Sequence, residues 1–253
     1  MIDALRERHP AVAWKLMLSM LPDSMAHHFP TAKPTYRDWV PPREQIPYAE
    51  YFELVEAIAE RLAEDAGASP DRWAKLITEG RDLPPGGRAM IRTGISARIQ
   101  ELGADARGEL WEALRAFIAN HREYADADWA IGEEELEDYD GLLVRLSPTK
   151  ASERLRFLFD EHHPGLTSSG LEDLAGFEAE LENRRGAALG EIEAEGGPDA
   201  MLELARGSKF PGTVGWAAAA GTRDRHDAAM VVLLGADDPT DQTIAGAYFS
   251  KRL

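Results

Sequence analysis

The sequence predicts an all-α fold, and three observations carry that prediction. Apolar residues recur at helical spacing through most of the chain. Glycine and proline fall mainly between these segments. The one serious strand candidate, Met230 to Leu234, is short and has no second run to pair with, so a buried helix is the better reading. Two-helix units of about 35–45 residues, ending at Pro or Gly, suggest irregular helical hairpins stacked as an α-solenoid-like array or gathered in a helical bundle. The expected organisation is a single helical module over 1–253, with any internal division falling near 125–150.

The first element runs from His9 to Leu21 and reads as a buried helix with Trp14, Leu16, Met17, Leu18, Met20 and Leu21 inside. A long loop over 22–47 follows, stiffened by Pro30, Pro34, Pro41 and Pro42. Beyond it, Tyr51, Val55, Ile58 and Leu62 form an apolar stripe joined by Leu54, with Glu53, Glu56, Glu60 and Arg61 opposite, and Gly67 closes this helix. Ser69-Pro70-Asp71 opens a helix carrying Trp73, Leu76 and Ile77, with proline in the first turn where its missing N–H is harmless.

Residues 82–87 (DLPPGG) read as a break, followed by a helix with Met90, Ile91, Ile95 and Ile99. Leu110, Leu114, Phe117 and His121 make the next stripe, and Glu133 to Leu146 an acidic helix after it. Ser147-Pro148 is expected to cap a helix bearing Leu155, Leu158 and Phe159, which ends at His162-His163-Pro164-Gly165. Leu171 to Ile192 marks a long helix, with Gly186 or Gly190 the candidate place for a kink, stopped by Gly196-Gly197-Pro198, and short helices then fall at about 198–206, 212–220, 224–234 and 240–252. At such spacing Trp73, Trp111 and Trp216 are expected in the core rather than on a ligand platform.

Composition excludes several classes. Asp and Glu number 45 against 28 Lys and Arg, a net charge of −17, which argues against non-specific nucleic-acid binding and favours a solvated surface. A local basic patch of Arg206, Lys209, Arg223 and Arg225 is the exception to weigh. There are 0 cysteines, so thiol catalysis, Cys-zinc sites and disulfides are out, and a cytoplasmic setting is the expectation. The N-terminal MIDALRERHP has no apolar core of a signal peptide, and the richest apolar run, Ala228 to Leu234, falls far short of the roughly 18 residues of a membrane span.

No motif of catalysis stands out. Gly207-Ser208-Lys209 lacks the upstream glycine of a phosphate loop, and there is no dinucleotide glycine triplet, HExxH or GxSxG. His27-His28 and His162-His163 are adjacent pairs, which do not face one another on a helix; the second, with Asp160 and Glu161 beside it, is the better metal candidate against a plain helix-end reading. Asp126, Asp128, Glu134 and Glu137 match positions of a calcium loop, but Ala130 and Ile131 stand where an oxygen ligand and glycine are required. Carboxylates at a helix N-terminus explain them as well. The expectation is therefore no catalytic residue, no metal and no cofactor.

The least ordinary feature is Pro34-Thr35-Tyr36-Arg37-Asp38-Trp39 in the long loop. Structurally, Trp39 plugs the core while Arg37 and Asp38 pair or cap. Functionally, Tyr36, Arg37, Asp38 and Trp39 form a recognition loop, since Tyr, Arg and Trp are favoured interface anchors and long loops in helical domains often carry function.

His9-Pro10-Ala11-Val12-Ala13-Trp14-Lys15-Leu16, then Leu21-Pro22, then 34–39, resemble a segment in the helical C-terminal parts of very large bacterial proteins, and Glu195-Gly196-Gly197 before short helices is similar too. Those proteins look like multidomain effectors or NTPases of defence-type systems, with a catalytic head and a helical sensor or scaffold. This sequence has no such head, so the resemblance implies a detached helical module. The resulting expectation is a non-catalytic interaction, scaffold or sensor module with a protein partner and no membrane. The alternative is an enzyme with a metal-assisted site near His162 and His163.

Overall fold

A computed structural model describes residues 2–23, 47–166, 174–221 and 226–253. Among the described residues there are thirteen α-helices and no strand. The chain divides into two compact units, one of residues 1–117 and 126–145, the other of residues 118–125 and 146–253.

The first unit contains α1 (Ile2–Arg8), α2 (Pro10–Leu18), α3 (Tyr48–Ala66), α4 (Pro70–Glu79) and α5 (Pro85–Arg98), most of α6 (Ala104–Glu123), and α7 (Glu133–Leu146) up to residue 145. Its buried side chains are those the stripes supplied: Val55, Ile58 and Leu62 from α3, Trp73, Leu76 and Ile77 from α4, Ile91 and Ile95 from α5, Leu110 and Leu114 from α6. Ser69 caps α4 as expected, its hydroxyl accepting from the Arg72 N–H at 3.4 Å. Gly67 ends α3 with φ +52, a conformation that glycine adopts without a Cβ penalty. Its carbonyl accepts from Trp73 Nε1 at 3.0 Å, which fixes the indole under α5. Gly94 lets α5 lie on that ring, since a Cβ there would sit 2.2 Å from it.

Several expectations need correction in this unit. The break at 82–87 is shorter than the composition suggests. A 3-10 turn over Gly80–Asp82 leads almost directly into α5, with Pro85 as its first residue. Gly86 and Gly87 stay in the first turn, where Gly87 gives Ala59 and Leu83 room to approach. The helix at His9–Leu21 buries Ala13, Trp14, Met17 and Leu21, while Leu16 and Met20 are exposed. Tyr51 and Leu54 likewise leave the α3 stripe uncovered.

The second unit contains the end of α6, α8 (Ala151–Arg154), α9 (Phe157–Asp160), α10 (Leu174–Gly207), α11 (Pro211–Gly221), α12 (Asp227–Leu234) and α13 (Pro239–Arg252). Residues 147–159 do not make the single helix expected. It starts at Ala151, whose N–H is held by Glu195 Oε2 at 2.8 Å, and it breaks into two single turns. At Gly197 the φ of +72 kinks α10, and Pro198 opens a fresh helical stretch. Residues 230–234 are helical.

The core gathers Phe159, Phe177, Ile192, Met201, Val214, Met230, Ile244 and Tyr248. Here α11 lies against both α10 and α13. Gly215 makes the second approach possible: a Cβ there would lie 2.1 Å from the Ile244 carbonyl oxygen. Trp216, next in sequence, turns outward and is covered by the Lys251 ammonium 4.8 Å from its ring, so it is not the core residue expected.

Candidate functional site

The expected recognition residues Tyr36, Arg37, Asp38 and Trp39 lie outside the described residues. The described residues on either side of 24–46 border two surface features of the first unit, and these form the candidate site.

The first is an apolar groove built by α1, α2 and α3. An ionic clamp holds α1 on α3. Arg6 grips Asp65 with Nε–Oδ2 at 3.0 Å and Nη2–Oδ1 at 2.7 Å, and reaches Glu64 at 2.8 Å. Arg61 answers from α3 with Nε–Oδ1 of Asp3 at 2.8 Å. The hydrogen bond from Arg61, with help from Arg6, draws the Asp3 carboxyl down to about 2. Between the clamped helices lies a cavity of about 550 Å³. Leu5 of α1, Leu16 and Met20 of the α2 segment and Leu54 of α3 line it, with Ile58 at its base. Leu16, Met20 and Leu54 are 44%, 41% and 49% exposed. Val12 and Phe52 extend the same two helices' exposed apolar surface. At one end stands Arg8, which makes no ion pair or hydrogen bond with any described residue.

The second feature is a polar cleft of about 840 Å³, which shares Met20 with the groove. Tyr51, Arg81, Asp82, Asp128 and Trp129 line it, together with Asp23, the last residue described before 24–46. The two arginines of the cleft differ. Arg88 is fully engaged: Nε and Nη2 grip Glu135 at 2.8 and 2.5 Å, and Nη1 donates to the Leu83 carbonyl. Burial pushes the Glu135 carboxyl up, but Arg88 and Arg92 outweigh it and hold it below the usual carboxylate range. Arg81 makes no hydrogen bond with a described residue. Its guanidinium lies 5.7 Å from the Trp129 ring centre and 3.8 Å from the Asp82 carboxylate, beyond hydrogen-bond length. Its Nε is enclosed and finds no acceptor among the described residues.

Elsewhere the sequence candidates disperse. The His162 ring packs on Phe210 at 4.0 Å and the His163 ring on Phe177 at 5.7 Å. Among the described residues no group of three or more His, Cys, Asp or Glu is placed to hold a metal ion. Arg206 is committed to Asp241 through contacts of 2.8 and 2.9 Å, while Arg223 and Arg225 lie outside the described residues. Among the described residues no helix is long and apolar enough to cross a membrane.

Neither the groove nor the cleft was singled out from the sequence. Their residues come from distant stretches, and the signal that existed was indirect: more apolar residues around His9–Leu62 than one stripe per helix can bury. Comparison with protein-family models, curated proteins and solved structures finds no match to this chain.

Proposed function

We propose that the chain is a non-catalytic interaction module whose α1–α3 groove receives an amphipathic helix of a protein partner. One observation carries this reading. Leu16, Met20 and Leu54 stand exposed around a formed apolar cavity rather than scattered singly. Exposed apolar surface gathered at a cavity marks interaction sites, and a groove between helices suits the spaced anchors of a partner helix. Arg8, which pairs with no described residue at the groove's end, supplies a cation for a carboxylate flanking the partner's apolar face. The resemblance at His9–Trp39 supports a partner that is a larger bacterial protein carrying a catalytic head. The cysteine-free, acidic composition fits work in the cytoplasm as a sensor or scaffold.

The test is crosslinked affinity purification from the source cells with three tagged forms. Wild type and Val232→Asp, a change on the exposed face of α12 in the other unit, are expected to recover the same stoichiometric partner. Leu16→Asp/Leu54→Asp is expected to lose it by tenfold or more, since anchor positions in a groove carry on the order of 2 kcal/mol or more. Equal recovery by all three forms, or no partner with any, would overturn the reading.

A further inference from the structure

The groove between α1, α2 and α3 has a polarity as well as a shape. Ile2, Leu5, Leu16, Leu54 and Ile58 give it apolar walls. Among the described residues that line it, the ionisable side chains are Arg8 and His9, side by side at the corner where α1 meets α2. None of those lining residues is a carboxylate, although Asp and Glu outnumber Lys and Arg by 45 to 28 in the chain. The acids of the clamp are committed: Asp3 to Arg6 and Arg61, Glu64 and Asp65 to Arg6. Arg8 takes no part in the clamp and pairs with no described residue.

These features are those of a small-molecule pocket. A cavity of about 550 Å³ lies within the usual range of ligand sites, which are mostly apolar with a few polar groups that set orientation. The charges favour a monoanion, because Arg8 is a single permanent cation and a chain of net charge −17 repels a polyanion. The walls favour an alkyl body over a flat ring, because Leu, Ile and Met line the cavity and no Phe, Tyr or Trp does among the described residues. A fatty acid joins one carboxylate to one alkyl chain.

We propose that the groove binds a free fatty acid, with the carboxylate on the Arg8 guanidinium and the alkyl chain along Leu5, Leu16 and Leu54. The acid also regulates docking: it and a partner helix need the same apolar walls, so an occupied groove excludes the helix. That regulation rests on the partner reading, whereas the binding itself does not.

The experiment is calorimetric titration of the purified full chain with decanoate, octanoate, hexanoate and decanol. One decanoate per chain is expected, and each added methylene should tighten binding by up to about fourfold. Decanol keeps the alkyl chain without the charge and should bind roughly fivefold more weakly, the most an exposed ion pair supplies. Arg8→Gln should bring decanoate down to the level of decanol and leave decanol unchanged. It breaks no pair with a described residue, so the fold should survive. Leu16→Asp/Leu54→Asp should lose binding tenfold or more, and Val232→Asp in the other unit should bind like wild type. Decanoate added to the crosslinked purification should lower partner recovery by the wild-type chain. The proposal is overturned if decanoate does not bind, if decanol binds as tightly, if Arg8→Gln binds decanoate like wild type, or if Val232→Asp weakens binding as much as the groove variant. Undiminished partner recovery with the groove saturated overturns the regulation. A purification that yields no partner overturns the partner reading and the regulation with it, while the titrations still decide the ligand site.

Discussion

The two units use different means to hold helices together. In the second, backbones come into contact. Gly215 of α11 abuts the Ile244 carbonyl of α13, and the core around Tyr248 and Ile244 closes with small residues such as Ala217, Ala218 and Ala245. In the α1–α3 part of the first unit, charged clamps do much of the holding. Arg6 and Arg61 tie α1 to α3 at their rims. A clamp at the rim fixes two helices without filling the space between them, and the groove is the space left. Tight small-residue packing leaves no such room. The contrast teaches where to look for function in a chain without motifs: where helices are held by their edges.

The largest expected effect tests the packed side. Gly215→Ala puts a Cβ against immovable backbone, and α11 must retreat from α13. Overpacking of this kind costs on the order of 1–3 kcal/mol, which corresponds to a Tm drop of roughly 2–12 °C in calorimetry. The gain in helix propensity offsets a part of it. Second comes the clamp. Arg6→Ala leaves the part-buried Asp65 without its partner and is expected to cost about 1 kcal/mol, a part-exposed pair being worth no more than that. Hydrogen exchange of α1 should rise selectively while α11 to α13 stay protected.

The clamp also gives a pH dependence. The Asp3 carboxyl lies below its unfolded value of 3.8, so its contribution is fully present above that value and is lost as pH falls towards about 2. Asp3→Asn should flatten the acid limb of the stability curve in that window. Gly186→Ala, by contrast, adds a methyl in open space on α10 and is expected to stabilise by roughly 0.5–1 kcal/mol. The same substitution thus changes sign within one unit according to what stands opposite.

The smallest effect belongs to Glu109. Burial pushes its carboxyl up, and the charge and hydrogen bond of Asp71 add to this. The folded state therefore holds the proton more tightly than the unfolded one, and stability falls as pH rises above the ordinary value of 4.5. Glu109→Gln should remove that decline, seen as a flatter Tm profile on the alkaline side of pH 4.5.

Much of this architecture was legible in the chain. Gly132 before three glutamates and Ser147 after Leu146 bracket α7, and Asp238-Pro239 marks the start of α13 with the Asp238 side chain accepting from Thr240 N–H. Punctuation is local chemistry, and it reads well. What resisted reading was which apolar residue finds a partner. Leu16 and Met17 are apolar neighbours, yet only Met17 is covered, because coverage depends on a helix some forty residues away. Trp216 deceived for a related reason: a helix rich in Ala and Gly packs by its small face, and the large ring has room outside. The cleft was illegible altogether, since Arg81 and Trp129 meet through folding and neither belongs to a motif.

Hydrogen exchange on the complex recovered from cells reads most directly whether the groove is the docking surface. Slowed exchange in α1, α2 and the first half of α3, with α11 to α13 unchanged, is the predicted footprint. A footprint confined to the second unit, or no change in α1 to α3, would contradict it.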